Sequence, residues 1–323
     1  MKGLEQLVER APDLAFELPD GTPVVKLGLI ATLYFKEGYT TQIKQKVMEC
    51  FDRFYSEFGS ELKAQWGERH SKLTPDSFKK SRDKILKTGP HNQYEWQISS
   101  AIDDKEAETY GLAVLSSQEL HGDSTRSFIK LVLPWTFLEA AEGMARYRDW
   151  LVYLCNQVCA DHGYGGLSTI LPFYFDPYTH IECELAQQFS GLEVDSMPHR
   201  LSMHLVDQIK GANWYTILSD TFVERLGGET AVRQLQGSRS DIDVVRYDKG
   251  LIIRAGDYPQ LGALADGLPA AYVTVSKGVK PLRSSSPVQL HGHSPYGASF
   301  GKDSSRRWYA RFDEEGAETE APC

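Results

Sequence analysis

Residues 94–134 read YEWQISSAIDDKEAETYGLAVLSSQELHGDSTRSFIKLVLP, and their reading decides the fold class. Three strand-like runs stand out, at Tyr94–Ser99, 110–116 and 128–133, rich in β-branched and aromatic residues. Turn-forming residues separate them, Asp103-Asp104 and then His121-Gly122-Asp123, and Pro134 closes the third. Consecutive strands with such short connections pair antiparallel, since a parallel pair needs a long crossover. A meander is expected here.

Working outward, residues 24–35 (VVKLGLIATLYF) form another strand, bounded by Asp20-Gly21-Thr22-Pro23 and Gly38. Ile43, Val47, Cys50, Phe51, Phe54 and Phe58 recur at helical spacing, with Gly59 as the stop. Residues 61–90 hold eight Lys/Arg against four Asp/Glu and read as a solvated helix-and-loop connector. Downstream, Met144, Tyr147, Leu151, Leu154 and Val158 mark a second amphipathic helix, expected to stop at His162-Gly163. A strand over 167–175 follows.

In the second half a helix is expected over 181–189. Trp214, Ile217, Leu218, Phe222 and Leu226 form a third apolar stripe read as helix, with Asn213 capping its start and Gly227-Gly228 its end. Ile242–Tyr247 and 251–254 flank Asp248-Lys249-Gly250 as a hairpin, and 269–283 read as a last helix. The expected class is α+β: an antiparallel-rich sheet with amphipathic helices packed on it. Residues 1–283 form one domain, with 1–175 and 176–283 as candidate lobes, and 284–323 a flexible acidic tail.

Composition narrows the function. The chain has 323 residues, 41% hydrophobic and 24% charged, with 35 Lys/Arg against 44 Asp/Glu and a formal net charge of −9. That balance excludes a generic nucleic-acid binder, which needs concentrated positive charge, and is suited to a basic protein partner. No apolar run approaches a membrane span, no polybasic anchor is visible, and the start lacks a secretory core. Five scattered cysteines (Cys50, Cys155, Cys159, Cys183, Cys323) do not form a disulfide framework. Together these features lead to the expectation of a cytoplasmic protein with reduced thiols.

Catalytic signals are weak. His180-Ile-Glu182-Cys183-Glu184 and His291-Gly-His293 lack zinc-site spacing, and Cys155 and Cys159 sit beside an apolar stripe as small hydrophobes. There is no Gly-x-Ser-x-Gly elbow, and Gly163-Tyr-Gly165-Gly166 precedes a strand instead of opening a phosphate-binding helix. Pro75-Asp76 with Asp103-Asp104-Lys105 matches a loose metal-dependent nuclease pattern, but Asp76 falls in the connector and Asp103 in a turn. No enzyme activity, metal or cofactor is expected. The contrary reading is a metal-dependent nuclease or hydrolase with dispersed carboxylates.

A resemblance adds a direction. Ile209-Lys210-Gly211-Ala212-Asn213-Trp214, Leu226-Gly227-Gly228 and the run from Arg254 to Gly262 (RAGDYPQLG) resemble landmarks of the type VI secretion immunity family associated with VRR-Nuc and related toxins. Gly165-Gly166-Leu167, Gly191-Leu192-Glu193-Val194-Asp195 and Tyr272…Pro281-Leu282-Arg283 fit the same pattern in the same order. Ala212 and Tyr215 replace the more usual Val and Leu, and 284–323 fall outside the pattern. The resemblance implies a cytoplasmic antitoxin whose partner is a cognate nuclease effector, with no direct contact to nucleic acid or membrane; oligomeric state stays open. The landmarks read as structural. Acids of the kind usually exposed, Glu193, Asp195, Asp241, Asp243 and Asp257, are the expected toxin-binding residues.

Overall fold

The computed structural model describes residues 2–90, 92–118, 124–292 and 294–313. Its first elements are α1 (Lys2–Arg10), β1 (Phe16–Glu17), β2 (Pro23–Phe35) and α2 (Thr41–Phe58). Next come β3 (Ala64–Trp66), β4 (Ser71–Lys72), α3 (Pro75–Lys87), then β5 (Tyr94–Ser99), β6 (Gly111–Ser116) and β7 (Ser127–Pro134). The middle of the chain supplies α4 (Gly143–Val158), β8 (His162–Ile170), α5 (Thr179–Gln188), α6 (Pro198–Ser202), β9 (Tyr215–Ser219), α7 (Asp220–Arg225) and α8 (Glu229–Ser238). The hairpin β10 (Ile242–Tyr247) and β11 (Gly250–Ala255), α9 (Ala270–Val279) and α10 (Lys302–Tyr309) complete it.

The strands form one sheet in the order β10-β11-β9-β8-β2-β7-β6-β5-β3-β4, with β1 added on β2, and every pair is antiparallel. The expected α+β class is thus what the chain adopts. The meander β5-β6-β7 pairs as its short connections required.

β2 is the spine, hydrogen-bonded to β7 on one side and β8 on the other. Its alternate residues serve two faces. Leu27, Leu29, Leu33 and Phe35 enter the main core with Val47, Phe51 and Phe54 of α2 and Leu151 and Leu154 of α4. Ile30 and Tyr34 meet Tyr164, Val132, Leu201 and Leu205 on the other face. Thr40 caps α2 by accepting the Ile43 N–H. Phe51 stacks on Trp96 with ring centroids 4.3 Å apart, locking α2 onto the meander.

Four expectations are corrected. First, α4 ends at Cys159, which itself takes the left-handed conformation (φ 50°), and His162-Gly163 already lie in β8. The glycine run is therefore strand, not cap and turn. A Cβ on Gly165 would lie 2.7 Å from the Tyr147 hydroxyl, which donates to Ile30 O; the missing side chain lets α4 press against the sheet. Second, the 214–226 stripe is not one helix. Tyr215–Ser219 is β9, paired with β11 and β8, and only Asp220–Arg225 is helical. Apolar residues buried on both strand faces imitate a helical stripe over so short a window.

Third, the 61–90 connector contains β3 and β4 as well as α3. Fourth, residues 284–313 are not a poorly packed tail. Leu290, Phe300, Trp308 and Tyr309 form a cluster with Cys183, Ala186 and Val194, and Phe312 joins the main core. Aromatic residues spaced among the serines and glycines supply the apolar area that low-complexity composition hid. Glu314, Glu315, Glu318 and Glu320 lie outside the described residues.

Candidate partner-binding surface

Glu193 and Asp195 do not face solvent. Both are buried, 2% and 1% exposed, and a carboxylate there needs compensation by cations or hydrogen bonds. Asp195 accepts from the Thr32 hydroxyl (2.8 Å) and the Tyr164 hydroxyl (2.6 Å), and pairs with Lys130 Nζ at 2.9 Å. Glu193 pairs with Lys210 Nζ at 2.6 Å, accepts from Asn213 Nδ2 at 2.5 Å, and has Arg311 Nη2 at 3.4 Å. Lys210 also donates to Val194 O and lies over the Tyr164 and Trp308 rings. Arg311 donates to Ser190 O at 2.8 Å and stacks on Trp308, 3.5 Å from the ring centroid. Burial lowers its pKa to about 10, against the pull of Glu193 and Tyr272.

This network explains the landmark segments. Gly166 leaves room for Asn213, whose Oδ1 a Cβ would meet at 2.3 Å. Gly191 lies against another landmark: its N–H donates to Leu261 O, and a Cβ would fall 1.9 Å from Gln260 O. Arg283 forms a twofold hydrogen-bonded pair with Asp313. The landmarks converge on one buried scaffold. Glu193 and Asp195 are buried, against the expectation of exposed acids, because their cations come from distant parts of the chain.

Two of the discarded metal fragments also meet. His291 Nε2 lies 2.8 Å from Glu182 Oε2, both side chains fully buried. Burial pushes the Glu182 carboxyl up. The His291 contact, Ser196 and the Asp195 N–H outweigh it and leave the carboxyl below its usual range. His293 lies outside the described residues. No three His, Cys, Asp or Glu side chains among the described residues gather as a metal site would require. Asp76 sits in the first turn of α3, while Asp103 accepts the Lys105 N–H in a separate loop. A further buried pair, Arg126 Nε to Asp161 Oδ2 at 2.7 Å, ties the residue entering β7 to the residue entering β8.

The remaining three acids lie at the β10–β11 edge. Asp241 is bound by Arg239, which holds its carboxyl below the usual range. Asp243 accepts from Gln236, and Asp257, mostly exposed, is 3.3 Å from Arg254.

At the opposite end of the sheet lies a groove that sequence reading missed. It holds about 270 Å³ and is lined by Trp66, Glu95, Gln97, Glu106, Glu108 and Phe173, among others. The alternation Tyr94-Glu95-Trp96-Gln97-Ile98 was its legible trace: Trp96 and Ile98 enter the main core, while Glu95 and Gln97 face the other way. Trp66 and Phe173 stack with centroids 5.5 Å apart, and His70 packs on Trp66. The two rim loops are tied by Tyr174 N–H to Asp104 O and by the Ala107–Pro172 bridge. Ile102, Phe173 and Tyr174 are 69%, 47% and 51% exposed. Burial raises the Glu95 and Glu108 carboxyls; hydrogen bonds from Ser99 and Gln97 only partly oppose it at Glu108. Lys130, the cation lining this groove, is engaged by Asp195.

Comparison with known proteins agrees with this scaffold. No curated protein sequence matches the chain. A solved structure, the Pseudomonas aeruginosa T6SS protein PA0821, is similar in fold: TM-score 0.83 at 20% identity, covering 96% of this chain and 90% of that one. The family described as TsiV, type VI immunity for VRR-NUC, matches residues 46–312. That match runs past residue 283, as the packing of 284–313 onto the body requires. The chain belongs to the TsiV family of type VI immunity proteins.

Proposed function

We propose that this protein binds a secreted nuclease effector of a type VI secretion system and neutralises it in the cytoplasm of the cell that makes both. The family match over residues 46–312 carries the reading. The net charge of −9 supports it, because a nuclease surface that holds DNA is positive and an acidic protein steers onto it. The protein acts by binding, without catalysis of its own, metal or cofactor.

The test is protection and capture. Cells producing the nuclease effector encoded beside this chain should survive when the chain is co-produced, and the two should co-purify. Equal killing with and without it ends the proposal. A complex that weakens steeply between low and high salt indicates charge-driven capture; one that does not indicates apolar docking.

A further inference from the structure

We propose that the groove between β3, β5 and the loop carrying Phe173 is the surface that receives the effector, taking a lysine or arginine side chain from a basic loop of the nuclease. This rests on the reading above and locates it.

Four observations point the same way. Glu95 is exposed on the groove wall and has no hydrogen-bonded or charged partner among the described residues, so it is open to one from outside. Glu108, 9% exposed, has hydrogen bonds from Gln97 Nε2 at 3.0 Å and from Ser99, and forms no ion pair; Lys130 and Lys26 act on it only from a distance, and burial still prevails. Glu95 is exposed and Glu108 buried, so an incoming cation meets one open carboxyl and approaches one whose charged form burial disfavours. The stacked Trp66 and Phe173 rings offer π faces beside those carboxyls, where a guanidinium or ammonium is further stabilised. Trp66, 5% exposed, lines the groove, and its indole N–H has no hydrogen-bond partner among the described residues. Finally, Ile102, Phe173 and Tyr174 form an exposed apolar rim of the kind that anchors a protein partner.

Size selects the occupant. About 270 Å³ is below the roughly 300–1,000 Å³ of pockets that enclose drug-sized ligands, and suits one or two side chains of a larger partner. The charge excludes a phosphate-bearing ligand. The β10–β11 acids offer a weaker case: Asp241 and Asp257 are already matched by Arg239 and Arg254.

Binding of the catalytically inactivated effector nuclease domain to the full chain is measured by calorimetry for wild type, Glu95→Lys, Phe173→Ala, Asp257→Lys and Asp149→Lys. Asp149 is an exposed acid on α4, on the other face of the sheet. Glu95→Lys and Phe173→Ala should each weaken binding about thirtyfold or more, with melting curves matching wild type and Asp149→Lys unaffected. A Lys or Arg to Glu exchange in the effector that restores binding to Glu95→Lys would fix the contact. Full-strength binding by both groove variants, or loss only in Asp257→Lys, overturns the groove while leaving the immunity reading intact. Absence of binding by wild type overturns both.

Discussion

Replacing Glu193 by Gln separates a structural acid from a toxin contact. The side chain keeps its volume and one acceptor oxygen, so Asn213 retains a partner. Lys210, 2% exposed, loses the carboxylate 2.6 Å from its ammonium, and Arg311 loses its countercharge at 3.4 Å. Breaking a buried pair on one side costs about 3–5 kcal/mol, because the surviving charge remains desolvated. Unfolding entropy is about 2.1 cal/mol/K per residue, which gives about 0.7 kcal/mol/K for a chain of this length, so Tm should fall by about 4–7 °C. Adding Lys210→Met should recover much of that loss, since the buried ammonium is removed. Circular dichroism melts and urea titrations measure stability, and effector binding is measured well below each variant's Tm. If Glu193→Gln keeps the wild-type Tm but no longer binds the effector, the acid is a contact and the buried-scaffold argument is refuted.

Other predictions follow from the same interior. Burial lowers the His162 pKa from 6.5 to about 4 while its Nε2 bonds Leu205 O at 2.7 Å. The unfolded chain therefore binds that proton first, and stability present at pH 7 falls by about 2 kcal/mol by pH 5. Urea titrations should show this slope in wild type and a shallower one in His162→Gln. Stopping the chain after residue 283 strips Arg311 from Glu193, His291 from Glu182 and Phe312 from the core; the product should be insoluble or lack a cooperative melt. Gly191→Ala, with its Cβ 1.9 Å from Gln260 O, should cost about 3 kcal/mol or more. Gly237→Ala in α8 meets nothing within 4 Å and should add about 0.5 kcal/mol, read from urea midpoints.

Legibility in the sequence followed the range of the forces. β2, α2, α4 and the β10–β11 hairpin were readable because each is written in a local period or a turn residue. β9 was not: Trp214, Ile217 and Leu218 match helical spacing, and only pairing with β8 and β11 makes Tyr215–Ser219 a strand. The candidate site failed in the same manner. Glu193 and Asp195 carry no local sign that Lys130, Lys210 and Arg311 will close around them. The groove left half a trace, in the alternation around Glu95. Its other wall, from Phe173, joins through long-range ties, the Ala107–Pro172 bridge, the Tyr174 N–H to Asp104 O bond and the Trp66 stack.

The long reach of these ties governs when the molecule becomes whole. Thr32 and Asp195 are 163 residues apart, Ser190 and Arg311 121, Glu182 and His291 109. Loops of that length close slowly, so folding should be slow and back-loaded. On the ribosome, Glu193 and Lys210 emerge about a hundred residues before Arg311. In that interval the half-made interior holds unfinished polar contacts and uncovered apolar surface, the state that chaperones and proteases act on. On the proposed function, protection would lag translation by the time needed to make and dock the segment that follows α10, and a producing cell would need a standing stock of finished copies.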